Sequence, residues 1–247
     1  MSKANGKLFL VSTPIGNIKD LSLRAAETLL NAEYIACEDT RRTSLFLQKI
    51  KELFSGIVTD INKPTLISYY NENEIQKSGS LLELLKNGHS VVLISDAGTP
   101  LLSDPGFIIV REALKNNIIV DSLPGPSAVL TALQLSGLPI NTFLFLGFLP
   151  DRQNKKEHIL KDLAQLLKQF GHSKITVPTV IFYESPHRLV ETLTLIANYF
   201  KEARLAVCRE LTKIHQEVRC QTAEELKTYY EKNPPLGEIT LVLNVKP

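Results

Sequence analysis

The stretch Leu93-Ile94-Ser95-Asp96-Ala97-Gly98-Thr99-Pro100-Leu101-Leu102-Ser103-Asp104-Pro105-Gly106 gathers two aspartates, two serines, two prolines and two glycines. It grows out of Val91-Val92-Leu93-Ile94, a continuously apolar run of the kind that forms a strand buried on both faces of a parallel sheet. In open α/β sheets, ligands bind beyond the carboxyl ends of such strands, where small, turn-forming residues let the backbone come close to them. Asp104 and Pro105 also fit a helix N-cap and first helical position, so half of the stretch has a structural use. Asp96 to Pro100 has none of that kind. Four more polar clusters follow apolar strand-like runs: Thr13-Pro14-Ile15-Gly16-Asn17, Glu38-Asp39-Thr40-Arg41-Arg42, Glu184-Ser185-Pro186-His187-Arg188 and Arg209-Glu210-Leu211-Thr212-Lys213. Each can be a turn, a cap or a solvated charge run. Five of them at corresponding strand ends imply a decorated rim.

The elements that must position these clusters are legible from periodicity. Strands are predicted near 7–12, 33–37, 65–69, 90–95 and 118–122, with helices near 21–30, 41–50, 74–87 and 106–116 between them, which is βαβ logic. Gly88 suits the C′ position of the third helix. A second series has strands near 142–147, 178–183, 204–210 and 238–245. Ser122-Leu123-Pro124-Gly125-Pro126-Ser127 is the densest turn signal in the chain and sets a domain boundary, giving an N-terminal α/β domain over 1–121 and a C-terminal one over 122–247. Thr222 and Glu225 form a capping box before the last helix, which Asn233-Pro234-Pro235 stops. The lysine-rich stretch 151–175 reads as a mobile loop or an exposed helix.

Several chemistries are excluded. No Gly-x-Gly-x-x-Gly follows the first strand and no Gly-Lys-Ser/Thr loop occurs, so the phosphate cradles of dinucleotide folds and P-loop enzymes are missing. His89, His158, His172, His187 and His215 are scattered without ligand spacing, and no metal is expected. Gly125-Pro126-Ser127-Ala128-Val129 lacks the second glycine of a nucleophile elbow. With 44% hydrophobic residues among 247, the chain can bury one large core or two smaller ones, and no apolar run is long enough to span a bilayer. The amino terminus offers only Leu8-Phe9-Leu10-Val11 where a signal peptide needs more. Cys37, Cys208 and Cys220 form no disulfide pattern, so a cytoplasmic location is expected. A net charge of +2 is too mild for a protein that coats nucleic acid but allows a local basic patch.

Thr13 to Asn17, Cys37 to Arg41, Ser95 to Gly106, Pro124 to Ala128, Gly147-Phe148-Leu149-Pro150, Tyr183 to Arg188 and Glu210 to Lys213 together resemble the motifs of the small-subunit ribosomal RNA methyltransferase I group, in the tetrapyrrole methylase superfamily. The resemblance spans nearly the whole chain. It implies two α/β domains with a cofactor cleft between them, a homodimer, and S-adenosyl-L-methionine as cofactor. The implied reaction is methylation of a cytidine ribose 2′-hydroxyl in the decoding region of small-subunit (16S) RNA, free or in the assembled subunit, with no membrane partner. There are departures: Tyr70-Asn71-Glu72-Asn73 stands where family members often carry histidines, and Cys220 where they often carry glycine.

The resemblance makes Pro14, Ser95, Asp96, Ala97, Ser103, Asp104, Ser127 and Leu211 cofactor-site candidates, with Gly98 and Gly125 allowing close backbone approach. A ribose hydroxyl calls for a base and for a cation on the developing alkoxide. Glu38, Asp39 and Glu184 are the acid–base candidates; Arg41, Arg188 and Lys213 are the cations. Each could instead be half of a structural ion pair. Arg41 and Arg42 are also candidates for holding RNA phosphate. The rival readings are a methyltransferase acting on a tetrapyrrole or another small molecule, and a non-catalytic RNA-binding assembly factor.

Overall fold

The computed structural model describes residues 4–58, 61–170 and 176–245, and the chain divides into two compact units, Met1–Ser127 and Ala128–Pro247. His172 and residues 171–175 of the lysine-rich stretch lie outside the described residues. The first unit runs past Asp121 because Ser122 and Leu123 complete its last strand, in register with Leu10 and Val11.

The first unit alternates strictly: β1 (Lys7–Val11), α1 (Leu23–Leu30), β2 (Tyr34–Cys37), α2 (Thr40–Leu53), β3 (Thr65–Ser68), α3 (Glu74–Lys86), β4 (Val91–Leu93), α4 (Phe107–Lys115) and β5 (Ile119–Leu123). Its sheet has the order β3-β2-β4-β1-β5 and is parallel throughout. Successive strand residues feed opposite faces: Val92 and Ile94 join a core with Ala26, Leu29 and Ile50 of α1 and α2, whereas Val91 and Leu93 join one with Leu81, Leu85 and Ile109 of α3 and α4. Both faces of β4 are therefore covered, as its unbroken apolar run predicts. The chain leaves adjacent β1 and β4 toward opposite faces, which opens a crevice beyond their carboxyl ends.

The second unit contains α5 (Ala128–Leu135), β6 (Phe143–Phe148), α6 (Gln153–Phe170), β7 (Thr179–Glu184), α7 (Leu189–Tyr199), β8 (Arg204–Arg209), β9 (Glu217–Gln221), α8 (Ala223–Lys232) and β10 (Ile239–Asn244). Its sheet, β6-β7-β10-β8-β9, is mixed: only β6 and β7 run parallel. A single apolar cluster joins Leu160, Leu163 and Leu167 of α6 to Leu193 and Ile196 of α7 and Leu226 of α8. The stretch expected to be a loop or an exposed helix is thus a helix with a buried stripe. That stripe includes Lys156, whose charge disguises it in the sequence.

Gly88, with φ of +86°, ends α3 as expected. The capping box at Thr222 and Glu225 is present, and α8 stops at Asn233.

Candidate functional site

The loop after β4 is fixed at both ends. Thr13 and Gly98 exchange backbone hydrogen bonds of 2.8 and 3.0 Å, and the Thr13 hydroxyl donates to the carbonyl of buried Ser95 at 3.3 Å. Ser95 Oγ donates to the Ala97 carbonyl at 3.2 Å, and the Thr99 hydroxyl donates to the Pro126 carbonyl at 3.1 Å. The turn holding Gly125 and buried Ser127 is tied in by that last bond. A Cβ on Gly125 would lie 2.9 Å from the Ser12 Cβ, so the glycine there serves close packing against the end of β1.

Within the loop, Gly98, Leu101, Ser103 and Gly106 all have positive φ, at 79°, 73°, 71° and 136°. For Leu101 and Ser103 that conformation is costly, on the order of 1–3 kcal/mol each, and such strain gathers at ligand-binding sites. The loop also corrects an expectation. Asp104 and Pro105 do not cap or start α4, which begins at Phe107 after Gly106. The orphan N–H groups are taken instead by Glu74, whose Oε1 accepts from Gly106 N at 2.8 Å and Ile108 N at 3.1 Å, with the Tyr69 hydroxyl donating to it at 3.1 Å. Asp104 is thereby released from capping.

Three carboxylates meet at this rim. Glu38 Oε1 accepts from Asp96 N at 3.2 Å, and Asp96 Oδ2 pairs with Arg42 at 3.0 Å. Burial, with the charges of Glu38 and Asp96 adding, pushes the Asp104 carboxyl up to about 7, against a hydrogen bond from Ser95. Burial also raises Glu38, partly offset by the Asp96 N–H. Asp39 behaves differently. It is the N-cap of α2, accepting from Arg41 N at 2.8 Å and Arg42 N at 3.3 Å, and these bonds with the Arg41 guanidinium hold its carboxyl below the usual range. Arg41 is exposed, its guanidinium 3.4 Å from Asp39.

In the second unit the candidates are engaged with one another. Glu184 is fully buried, pairing through one oxygen with Arg188 at 2.9 Å and Ser185 N at 2.7 Å, and through the other with the Thr192 hydroxyl and Lys156. Lys156 is itself fully buried, its Nζ 3.0 Å from the Thr192 hydroxyl and 3.2 Å from Glu191. Arg188 also pairs with Asp151. Lys213 bridges Glu210 at 2.8 Å and Glu238 at 3.0 Å. Buried Leu211 lies between Glu210 and Thr212, both with positive φ, so that turn is tightly wound. Sequence reasoning missed Lys156 and Glu74, because each finds its partners through the fold rather than along the chain.

In the Tyr70–Asn73 segment, Asn73 closes its own turn: Oδ1 accepts from Tyr70 N at 2.9 Å and Nδ2 donates to the Ser68 carbonyl at 3.2 Å. A cavity of about 600 Å³ lies wholly in the first unit, between the loop after β1 and helix α2; Pro14, Ser95 and Asp96 line it, with Arg42, Phe46 and Lys49 across from them. No group of side chains suited to a metal occurs among the described residues.

The model of the family Tetrapyrrole (Corrin/Porphyrin) Methylases matches residues 7–227. The chain is 40% identical over 241 residues to a ribosomal RNA small subunit methyltransferase I of Thermotoga maritima, covering 98% of this chain and 99% of that one. It is 42% identical over 236 residues to the protein of the same name from Mesorhizobium japonicum, covering 95% of this chain and 74% of that one. Among solved structures, a uroporphyrin-III C-methyltransferase of Thermus thermophilus in complex with S-adenosylhomocysteine superposes with a TM-score of 0.61, covering 97% of this chain and 98% of that one. At 16% identity, that likeness is one of fold.

Proposed function

The chain belongs to the tetrapyrrole methylase family, and from that membership we propose that it methylates the ribose 2′-hydroxyl of a cytidine in the decoding region of small-subunit ribosomal RNA. The observation that carries this reading is the 40% identity, over 98% of the chain, to a relative named for small-subunit ribosomal RNA. Its cofactor is S-adenosylmethionine, in keeping with the family and the fold neighbour. Action as a cytoplasmic homodimer belongs to the same proposal, and light scattering is expected to report twice the chain mass.

The residues present fit the cofactor. S-adenosylmethionine brings a sulfonium and an ammonium, and Glu38, Asp96 and Asp104 form a rim whose mutual repulsion, added to burial, lifts Asp104. A cation placed there relieves that repulsion. When bound, the cofactor supplies the electrophilic methyl group and its own leaving group, so the protein has mainly to align it with the hydroxyl and exclude water. Ser95, Asp96, Ala97, Gly98, Ser103 and Asp104 would hold it through a loop already wound and pinned, with Pro14, Gly125 and Ser127 of the same unit beside them.

Among the acid–base candidates we assign proton removal to Glu38. Its carboxyl is raised, accepts one backbone hydrogen bond and stays partly open to solvent. Asp39 is lowered by capping α2 and is the poorer base. Glu184 is enclosed, and with Arg188 serves as support. Lys213 is held by two carboxylates, whereas Arg41, exposed beside Asp39, is the cation of the first unit that can face developing charge.

The test offers labelled S-adenosylmethionine with unmodified small subunits, free RNA and a tetrapyrrole. Label is expected in the RNA, on the 2′-oxygen of a cytidine. Label in the tetrapyrrole would replace this reading with the small-molecule one, and RNA binding without any label would replace it with an assembly factor.

A further inference from the structure

Resting on the reading of the chain as an RNA methyltransferase, we propose that the cavity between the loop after β1 and helix α2 receives one unstacked nucleobase of the RNA. Phe46 is its stacking platform, and Arg42 and Lys49 hold the phosphates on either side. The cavity's volume, about 600 Å³, is in the usual range for a small-ligand site. It shares Ser95 and Asp96 with the cofactor loop, so a nucleotide held there is carried to the edge of the methyl-transfer site.

Arg42, Phe46 and Lys49 stand at i, i+4 and i+7 on α2, which puts them on one helix face. Phe46 is half-buried: it packs on the core that includes Ile50, lines the cavity, and pairs with no other aromatic ring among the described residues. Lys49 is exposed and has no carboxylate partner among the described residues, unlike Lys156 and Lys213. Arg42 holds Asp96 in a pair whose arginine side chain is 75% exposed; such a pair is weak, and a phosphate can take its place. A flat apolar wall between two cations matches the way proteins hold single-stranded RNA, with bases stacked on aromatic faces and the backbone on basic groups. Arg42 and Lys49 lie on the side of the cavity away from the cofactor loop, where they favour a phosphate over the cofactor's sulfonium and ammonium.

The test measures affinity for unmethylated small ribosomal subunits at several salt concentrations, and S-adenosylhomocysteine binding by calorimetry, in the parent and in Phe46→Leu and Lys49→Gln. Leucine keeps the apolar packing of Phe46 while removing the flat ring, and Lys49 is exposed, so both variants are expected to melt with the parent. Phe46→Leu should weaken subunit binding about ten-fold, within the range of a lost base stack. Lys49→Gln should flatten the slope of log affinity against log salt by about 0.7. Cofactor binding should not change in either. Folded variants that bind subunits as the parent does, while the parent methylates RNA, overturn this proposal alone. A fall in S-adenosylhomocysteine affinity with subunit binding intact also overturns it and gives the cavity to the cofactor. A parent that neither binds nor methylates subunits overturns this proposal together with the function it rests on.

Discussion

The charged residues at the strand ends of the two units are of the same kinds, yet the folds treat them in opposite ways. In the second unit, Glu184, Lys156 and Arg188 neutralise one another inside the protein, and Lys213 is shared between Glu210 and Glu238. In the first, Glu38, Asp96 and Asp104 crowd together with one exposed arginine between them and solvent, so that Asp104 is lifted to about 7. A parallel sheet turns all its strand carboxyl ends, and their loops, to one edge, which brings Glu38 after β2 together with Asp96 and Asp104 after β4. The mixed sheet and four helices of the second unit hold these charges in pairs. The difference separates a region whose like charges are left crowded together from one whose charges are paired.

The largest effect that would break this contrast lies in the second unit. Lys156→Ala leaves Glu184 and Thr192 short of a buried partner and should cost about 3–5 kcal/mol, read by denaturant unfolding. A variant as stable as the parent would mean that the charge network supports little. Next comes a matched pair: Glu38→Gln should lower kcat about a hundred-fold with unchanged melting temperature, the usual scale for losing a general base. Glu184→Gln should instead lower stability and leave kcat of the folded protein within about two-fold, since it loses support rather than a base. The reverse pattern would move the base into the second unit.

Asp104 gives a smaller effect that depends on pH. Its folded-state value lies above that of an unfolded aspartate, so the native protein keeps a proton that the unfolded chain has released, and stability falls as pH rises from about 4 to about 7. Solvent screening of this half-buried group reduces the effect to about 1 kcal/mol. Asp104→Asn should match the parent below pH 4, exceed it above pH 7 in thermal unfolding, and bind S-adenosylmethionine more weakly by calorimetry. The smallest expected change is that of Arg41→Gln: unaltered stability, with the salt slope of RNA binding flattened by about 0.7 if Arg41 holds a phosphate. An unaltered slope would leave Arg41 as a solvated partner of Asp39.

The sequence makes the first unit easy to read, because each strand is a short apolar run whose two faces are both buried and each helix shows its own period. Ser95, Asp96 and Gly98 stand out as candidates for the same reason: they come where an apolar run stops. What resists reading depends on contacts far along the chain. Glu74 caps α4 from thirty-two residues away, while the local Asp104-Pro105 signal points to the wrong helix start. Lys156 hides the apolar stripe of α6 because its compensating groups lie on β7 and α7. Strand β9, Glu-Val-Arg-Cys-Gln, is an edge strand with every residue only half-buried, so neither alternation nor an apolar run announces it. Glu184 and Glu38 look alike in sequence, and only the enclosure of one sets them apart.

Strand β10 is the last of the described elements, yet it lies in the middle of its sheet, hydrogen-bonded to β7 on one side and β8 on the other, with all six residues buried. As the chain emerges from a ribosome, β7 and β8 have no neighbour to share until residues 239–244 are free, although the whole parallel sheet of the first unit is available more than a hundred residues earlier. The sheet of the second unit therefore cannot be completed until β10 has been made. Until then two apolar edges stand open to pairing with other chains, so a nascent chain stalled after β8 but short of Ile239 is an aggregation hazard.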